Sequence, residues 1–326
     1  MKSILKKVAG VALAAVLAFG MFSCTNGIAY PVMETVATPA FSVESGAVDS
    51  ETEVTITCAT EGAKIYYTTD GSEPTASSTE YTATISVTPP MTLKAIAVKD
   101  GMNDSAVESA SYLIIPTKAT CVPGDFVLKD GTMLPKDISL TDTQKSNVAA
   151  VIVRAAADGK PALGVGIVHK TMAWCIYSAK GYSTNITFLV GDTTSDYMDG
   201  SYGWDILKAE CSDAASNPEN YPAWKYCRKY YANNGLEGDL ATGWYLPTQA
   251  ELKTIYQNNY YYNNVVEASL SKAGGSQFGK SWYWSCCQNT DPSYATYACI
   301  LYFDDGWGLS PKNYADEYVC SVRAFN

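Results

Sequence analysis

The sequence predicts two folded regions, a β sandwich followed by an α+β domain with two helices. In residues 36–115, short β-branched and aromatic runs are separated by turn signals about every 8 to 12 residues, which is typical of a β sandwich. After Pro116, residues 116–326 combine apolar strand-like runs with two stretches of helical periodicity. A chain of 326 residues is long enough for two domains of ordinary size.

The chain begins with the features of an export signal. Three lysines among the first seven residues precede an apolar run at 8–22, and this run is shorter than the about 20 residues that span a bilayer. The run leads into Ser23-Cys24 and resembles a bacterial lipobox, although Met21 stands where leucine is usual. An ordinary secretory signal with a chance cysteine is the alternative.

The lipobox resemblance implies that a signal peptide, 1–23, is removed and that Cys24 then carries lipid. Lipid on a cysteine holds a protein at a membrane without a spanning helix. Residues 24–35 would therefore tether an exported bacterial lipoprotein to the cell envelope, at the outer membrane or the cell surface. The expected partners include this membrane, which the chain reaches through the lipid anchor.

Charge and composition argue against several classes of function. Removal of residues 1–23 takes away three lysines and no acid, so the formal net charge changes from −10 to −13. A chain this acidic lacks the cations that replace phosphate counterions, so nucleic acid is not an expected partner. The only histidine is His169 and no C-x-x-C spacing occurs, so neither a conventional zinc site nor another cofactor is expected.

The expected sandwich strands are marked by three runs and their turns. Residues 65–69 are β-branched and aromatic and lead into Asp70-Gly71, which is a turn signal. Residues 93–98 form a second run and residues 110–115 a third. Asp70 and Glu73 are interpreted as turn residues rather than as catalytic acids.

A specific motif accompanies these strands. It consists of AKIYYTTDGSEPT at 63–75, Tyr81, LKAIA at 93–97 and Ser105. The series resembles the chitobiase/β-hexosaminidase C-terminal-type module. The resemblance implies an immunoglobulin- or fibronectin-like sandwich over 36–115 that carries no catalytic residues, of the kind used as a spacer or accessory domain in secreted bacterial proteins. Carbohydrate contact by Tyr66, Tyr67 or Tyr81 is a less favoured alternative to packing within the sandwich.

The C-terminal region predicts strands followed by a first helix. Apolar runs at 126–128, 149–154 and 162–169 are expected to be strands, with a tight turn at Asp158-Gly159 between the last two. Residues 223–233 then predict a helix, because Trp224, Cys227, Arg228 and Tyr231 share one face at the spacing i, i+3, i+4 and i+7.

The second helix is marked by a capping box. Thr248 and Glu251 are three residues apart, and Pro247 stands just before them. Leu252, Ile255 and Tyr256 follow on the expected apolar face, and the helix is expected to end near Asn258-Asn259.

A second motif runs through this half of the chain. It consists of GWYLPT at 243–248, Glu251-Leu252, WYWS at 282–285, Gly306 and VRAF at 322–325. The series resembles C-type-lectin-like domains of the formylglycine-generating-enzyme and DUF1566 type, although the family's W-S-S element reads Trp284-Ser285-Cys286 here. The resemblance implies a C-type-lectin-like domain at 116–326. The nearest relatives in pattern are bacterial lipoproteins that join both modules, and some are variable proteins of diversity-generating retroelements, whose C-terminal binding face is rewritten by adenine-directed mutagenesis.

The residues do not support an enzyme. Formylglycine chemistry in the family needs a pair of reactive cysteines in a metal site, whereas Cys286 and Cys287 are adjacent, a spacing that strains a disulfide and suits no copper pair. His169 is the last residue of the apolar run at 162–169 and is interpreted as a hydrogen-bonded boundary residue rather than a general base. Oxygen-rich stretches at 192–200 and 304–305 lack the spacing of an EF-hand and are interpreted as loops.

The segment between the Trp282 strand and the Val322 strand has the composition of a binding surface. Tyrosine and tryptophan supply large contact area with few rotatable bonds, and serine, asparagine and aspartate supply adaptable hydrogen bonds. The residues expected to bind the ligand, as one exposed patch near the C-terminus, are Tyr294, Tyr297, Tyr302, Asp304, Asp305, Trp307, Asn313 and Tyr314. The alternative is that these aromatic residues are core and the aspartates are turns.

The variable-protein hypothesis also predicts a fixed frame around this surface. Mutation of the adenines of an asparagine codon cannot give tryptophan, glutamine, lysine or glutamate. Trp307, Gln288, Lys312 and Glu317 would therefore be frame residues beside the binding surface.

The function predicted from the sequence is that of a surface-tethered, non-enzymatic binding lipoprotein whose lectin-like C-terminal face contacts a protein or glycan ligand. One alternative is a secreted accessory carbohydrate-binding protein of polysaccharide degradation. The other is a structural envelope lipoprotein without a specific ligand. A C-type-lectin-like fold alone does not imply sugar binding, because function depends on the site.

Overall fold

The computed structural model describes residues 33–49, 51–186, 199–261, 263–289, 291–304 and 306–326. Several predicted features lie outside the described residues. They are the signal peptide, the lipidation site Cys24 and the contact residue Asp305, together with the acidic loop positions Asp192 and Asp196.

The chain divides into two compact units. Of the described residues, the first unit contains 33–42, Thr55–Thr84 and Leu93–Ser109, and the second contains those of Val43–Val54, Ile85–Thr92 and Ala110–Asn326. This grouping places short segments of the predicted sandwich with the C-terminal region. The predicted boundary at Pro116 instead divides the chain into two continuous ranges of sequence. The predicted domain limits stay a prediction.

The N-terminal third of the chain contains short strands. In chain order they are β1 (Ala40–Phe41), β2 (Gly46–Val48), β3 (Glu53–Val54), β4 (Ile56–Thr57), β5 (Lys64–Thr68), β6 (Thr79–Glu80), β7 (Ile85–Ser86), β8 (Met91–Val98) and β9 (Glu108–Ile114). In the first unit, β5 pairs antiparallel with β6 and β8, and β1 pairs antiparallel with β4. In the second unit, β2 lies parallel to β9 and β3 antiparallel to β7. The three strands expected from the sequence correspond to β5, β8 and β9.

The burial of β8 follows the alternation of a strand with one face on a core. Leu93, Ala95 and Ala97 are fully buried, and the residues between them are partly exposed. Successive side chains of a strand point to opposite faces, so this pattern places one face of β8 inside and the other towards solvent. The predominance of strands in several sheets agrees with the predicted β sandwich.

The rest of the second unit combines sheets with helices. Its strands are β10 (Phe126–Leu128), β11 (Met133–Leu134), β12 (Val148–Arg154), β13 (Ala162–Gly166), β14 (Lys170–Thr171), β15 (Trp244–Tyr245), β16 (Trp282–Gln288), β17 (Tyr297–Tyr302), β18 (Gly306–Pro311), β19 (Tyr318–Val319) and β20 (Val322–Phe325). Its helices are α1 (Asp142–Asn147), α2 (Lys180–Ser183), α3 (Gly203–Glu210), α4 (Asp213–Ser216), α5 (Pro222–Arg228), α6 (Tyr230–Asn234), α7 (Gln249–Tyr261) and α8 (Val265–Lys272). The C-type-lectin-like assignment of this region stays a prediction.

Two sheets organise this part of the chain. One has the strand order β11-β10-β12-β13-β20-β15 and the other has the order β14-β19-β16-β17-β18. Nearly every residue of β12 and β13 is buried, because core clusters cover both faces of their sheet. At Gly166 an added Cβ would overlap the ring of Tyr230, so this close approach requires glycine.

The predicted helix at 223–233 is in fact two helices. α5 ends at Arg228, and Lys229 has φ −96° and ψ 8°, which lies outside the helical region and begins a new turn. The break rotates the next helix, so that Tyr230 is fully buried and Tyr231, which the periodicity placed inside, is only partly buried. α3 and α8 were not predicted, because neither has a strong capping signal or a long apolar face.

The predicted capping box at the start of α7 is confirmed. The backbone N–H of Glu251 donates to the hydroxyl of Thr248 at 3.1 Å, and the backbone N–H of Thr248 donates to the carboxylate of Glu251 at 2.9 Å. Both residues are buried, and Tyr245 donates its hydroxyl to the other carboxylate oxygen at 2.7 Å. The helix ends at Tyr261, slightly beyond the expected asparagines.

Candidate functional site

The expected binding residues lie on and around the hairpin formed by β17 and β18. Tyr297 pairs with Pro311 at one end of the hairpin, and Tyr302 pairs with Gly306 at the other. A strand of six residues spans about 17 Å. The register therefore separates the expected residues into two groups, one at each end.

The first group lies where β17 begins and β18 ends. Tyr294 and Tyr297 make an edge-to-face contact with their ring centroids 5.9 Å apart. Asn313 and Tyr314 follow Pro311, and the backbone N–H of Tyr314 donates to the carbonyl of Pro311 at 2.8 Å, which closes a turn. The side chains of Tyr294 and Tyr314 are 45% and 47% exposed, so neither ring is part of the core.

The second group lies at the other end of the hairpin and does not share one face. Trp307 is directly opposite Leu301, so both side chains point to the side of α7. Tyr302 is the next residue along β17 and points to the opposite side, where its ring lies 4.8 Å from that of Trp282. The expectation of one continuous patch therefore needs correction for Tyr302, because strand side chains alternate. Its role in binding stays a prediction.

A groove runs between α7 and this end of the hairpin. Its volume is 440 Å³, and its lining residues are Lys253, Tyr256, Gln257, Tyr260, Leu301, Asp304, Gly306 and Trp307. Asp304 is exposed and forms an ion pair with Lys280 at 2.7 Å, and its carbonyl accepts a hydrogen bond from the Tyr256 hydroxyl at 3.5 Å. The groove joins two expected binding residues, Asp304 and Trp307, to a helix.

The sequence analysis placed Tyr256 on the apolar face of α7 and associated none of the four groove residues of this helix with the site. Lys253, Tyr256, Gln257 and Tyr260 have the spacing i, i+3, i+4 and i+7, so they form one stripe of the helix. The available signal was a pair of tyrosines four residues apart on one helix, Tyr256 partly buried against the core and Tyr260 exposed. Its proximity to Trp307, however, depends on tertiary packing.

Buried polar residues hold the first group in place. Lys312 is fully buried, and its ammonium donates to the carbonyls of Gly181 at 2.6 Å and Thr184 at 3.1 Å. Burial lowers the pKa of Lys312 to about 8. Gln288 is also buried, accepts from the backbone N–H of Ile186 at 2.7 Å and donates to the Thr184 carbonyl at 3.3 Å. Two of the four expected frame residues thus anchor the same backbone segment beside the exposed Asn313-Tyr314 turn.

The residues considered for catalysis are inaccessible. His169 is buried, its Nδ1 lies 2.9 Å from the Tyr283 hydroxyl, and burial lowers its pKa to about 3. Cys286 and Cys287 are buried next to each other, and their hydrogen bond raises the pKa of the first thiol and lowers that of the second. Among the described residues, no cluster of three or more histidine, cysteine or acidic side chains could hold a metal ion.

The N-terminal part of the chain matches a known family. Residues 43–109 match the chitobiase/beta-hexosaminidase C-terminal domain. This match confirms the resemblance for the N-terminal module and covers about a fifth of the chain. Residues 116–326 lie outside it.

The turn of the chitobiase/β-hexosaminidase C-terminal-type module has a structural explanation. The carboxylate of Asp70 accepts from the backbone N–H of Ser72 at 3.0 Å and from its hydroxyl at 2.6 Å, which fixes the turn and lowers the pKa of Asp70. Glu73 forms an ion pair with Lys94. Asp70 therefore acts as a turn residue, as the sequence indicated.

Other comparisons are weaker. No curated protein matches the chain. A fimbrial protein from Bacteroides ovatus ATCC 8483 aligns over 90% of this chain and 70% of its own, with 12% identity and a TM-score of 0.47. A likeness at that score carries no argument about function. Within the described part of the chain, no helix is long and apolar enough to cross a bilayer.

Proposed function

We propose that this chain is a non-enzymatic binding protein that is tethered to the cell envelope by lipid on Cys24 and contacts a protein or glycan ligand through its C-terminal hairpin. The observation that carries the proposal is the combination of exposed tyrosines with a buried polar frame. Tyr294 and Tyr314 are nearly half exposed, while Gln288 and Lys312 are buried and hydrogen-bonded to residues 181–186. Protein interfaces are enriched in tyrosine, which supplies large contact area with few rotatable bonds.

The frame matters because it reduces the entropic cost of binding. A loop that is already fixed loses little conformational freedom when a ligand binds. Lys312 directly precedes Asn313, and its buried ammonium is hydrogen-bonded inside the domain. The backbone at the start of the exposed turn is therefore held in one arrangement.

Single substitutions test this proposal. A pull-down with the chain lacking residues 1–24 identifies the ligand, and titration measures its affinity. Tyr294→Ala and Tyr314→Ala are each expected to weaken binding by about 1–2 kcal/mol while the fold is unchanged. Tyr177→Ala is the matched control, because Tyr177 is 73% exposed but lies outside the hairpin. Equal affinity of all three variants and the wild type would contradict the proposal.

A second candidate function is an accessory carbohydrate-binding protein of polysaccharide degradation. It is favoured by the match of residues 43–109 to a domain named for chitobiase and β-hexosaminidase. In this case Tyr66→Ala or Tyr81→Ala should abolish glycan binding, and the hairpin variants should leave it unchanged.

A diversified C-terminal face would be supported by an imperfect repeat of the end of the coding sequence beside a reverse transcriptase gene.

A further inference from the structure

The groove between α7 and the β17/β18 hairpin has the dimensions of a small-ligand site. Its volume of 440 Å³ lies within the range of roughly 300–1,000 Å³ that is usual for such sites. A protein partner of standard size would instead bury a total of about 1,200–2,000 Å² over a broad surface. The concave shape therefore suits a compact ligand better than a flat protein surface.

Three aromatic rings border the groove. Tyr256 and Tyr260 are stacked, with an interplanar angle of 21° and a centroid distance of 6.1 Å. Trp307 approaches from the hairpin. Tyr260 is 67% exposed, so most of its ring surface faces solvent. The faces of aromatic rings carry negative charge density and attract the weakly positive C–H groups on one face of a pyranose ring.

Polar groups alternate with these rings along the same stripe. Gln257 offers both donors and an acceptor, Lys253 offers donors, and Asp304 offers acceptors. Sugar hydroxyls both donate and accept hydrogen bonds, so this mixed set can pair with them. Asp304 is already paired with Lys280, so its carboxylate does not require a cationic ligand.

We propose that this groove binds a neutral pyranose unit of a glycan, with Tyr260 as the stacking platform and Gln257 as a hydroxyl-binding residue. The inference rests on the proposed binding function and names the ligand class for one end of the hairpin. It adds a helix that the sequence did not associate with the site. A single sugar bound this way also leaves the Tyr294–Tyr314 end free to contact neighbouring sugar units.

The test uses the chain lacking residues 1–24, otherwise complete, on an array of neutral hexose and N-acetylhexosamine oligosaccharides. Titration calorimetry with an oligosaccharide bound on the array then compares the variants. Tyr260→Ala should weaken binding about tenfold or more, because the platform is lost. Tyr260→Phe retains the ring and should stay within about threefold of the wild type. Gln257→Ala should weaken binding less than Tyr260→Ala.

The outcomes separate this inference from the proposed function. Binding that is lost in Tyr260→Ala but retained in Tyr260→Phe supports the groove. Binding that is unchanged in Tyr260→Ala but lost in Tyr314→Ala overturns the groove and keeps the proposed function. If no oligosaccharide binds at millimolar concentration while a captured protein depends on Tyr314, the glycan inference is wrong and the binding function stands. Tryptophan fluorescence checks that each variant is folded.

Discussion

His169 is the residue whose burial has the clearest consequence for pH dependence. Burial lowers its pKa to about 3, whereas a histidine in an unfolded chain titrates near pH 6.5. Below pH 6.5 the unfolded state therefore binds a proton that the folded state excludes. The contribution of His169 to the free energy of unfolding is intact above that pH and decreases as the pH falls, by up to about 1.4 kcal/mol per unit.

His169→Gln should remove this acid sensitivity, because glutamine can still bond the Tyr283 hydroxyl but takes up no proton. Between pH 7 and pH 5, we expect the wild type to lose about 2 kcal/mol more stability than the variant. Urea unfolding at the two pH values measures the difference. All seven tryptophans lie between Trp174 and Trp307, so their fluorescence reports the C-terminal region. If the free energy of unfolding changes equally with pH in the two proteins, His169 is protonated in the folded state without loss of stability.

At the scale of the element, α7 depends on its capping box. Thr248→Ala removes the hydroxyl that accepts from the Glu251 backbone N–H, and we expect a loss of about 1 kcal/mol in the free energy of unfolding. Thr254→Ala is the matched control, because that hydroxyl donates to the Ala250 carbonyl within the helix, which already accepts a backbone bond. Urea unfolding compares both variants. If the two substitutions have equal effects, the cap does not stabilise the helix.

At the scale of the whole molecule, the proposed function predicts export and a lipid tether. Cys24→Ala should abolish lipid attachment, because the acylated thiol is lost. The variant is expected to leave the detergent phase in phase partitioning, and mass spectrometry should show no lipid mass. Cys58→Ala serves as the control, since Cys58 is a half-buried thiol of the N-terminal region. Unchanged partitioning of Cys24→Ala would argue for an ordinary secretory signal.

The sequence by itself determined the local features of this protein. The turn at Asp70, the turn at Asp158-Gly159 and the cap at Thr248 follow from short spacings, because their hydrogen bonds join residues only a few positions apart. The residue patterns of β5 and β8 could likewise be recognised from the sequence, and so could the resemblance that the family match at 43–109 confirms.

Only the tertiary structure decided which of the expected binding residues share a surface. β16 is buried along almost its whole length, and β17 is buried at its four central positions. Their sequences therefore lack the alternation that would reveal which face each side chain takes. Strand register places Trp307 towards α7 and Tyr302 away from it. Tyr260 and Trp307 border one groove because a helix packs on a hairpin that lies far along the chain, and no local spacing encodes that contact.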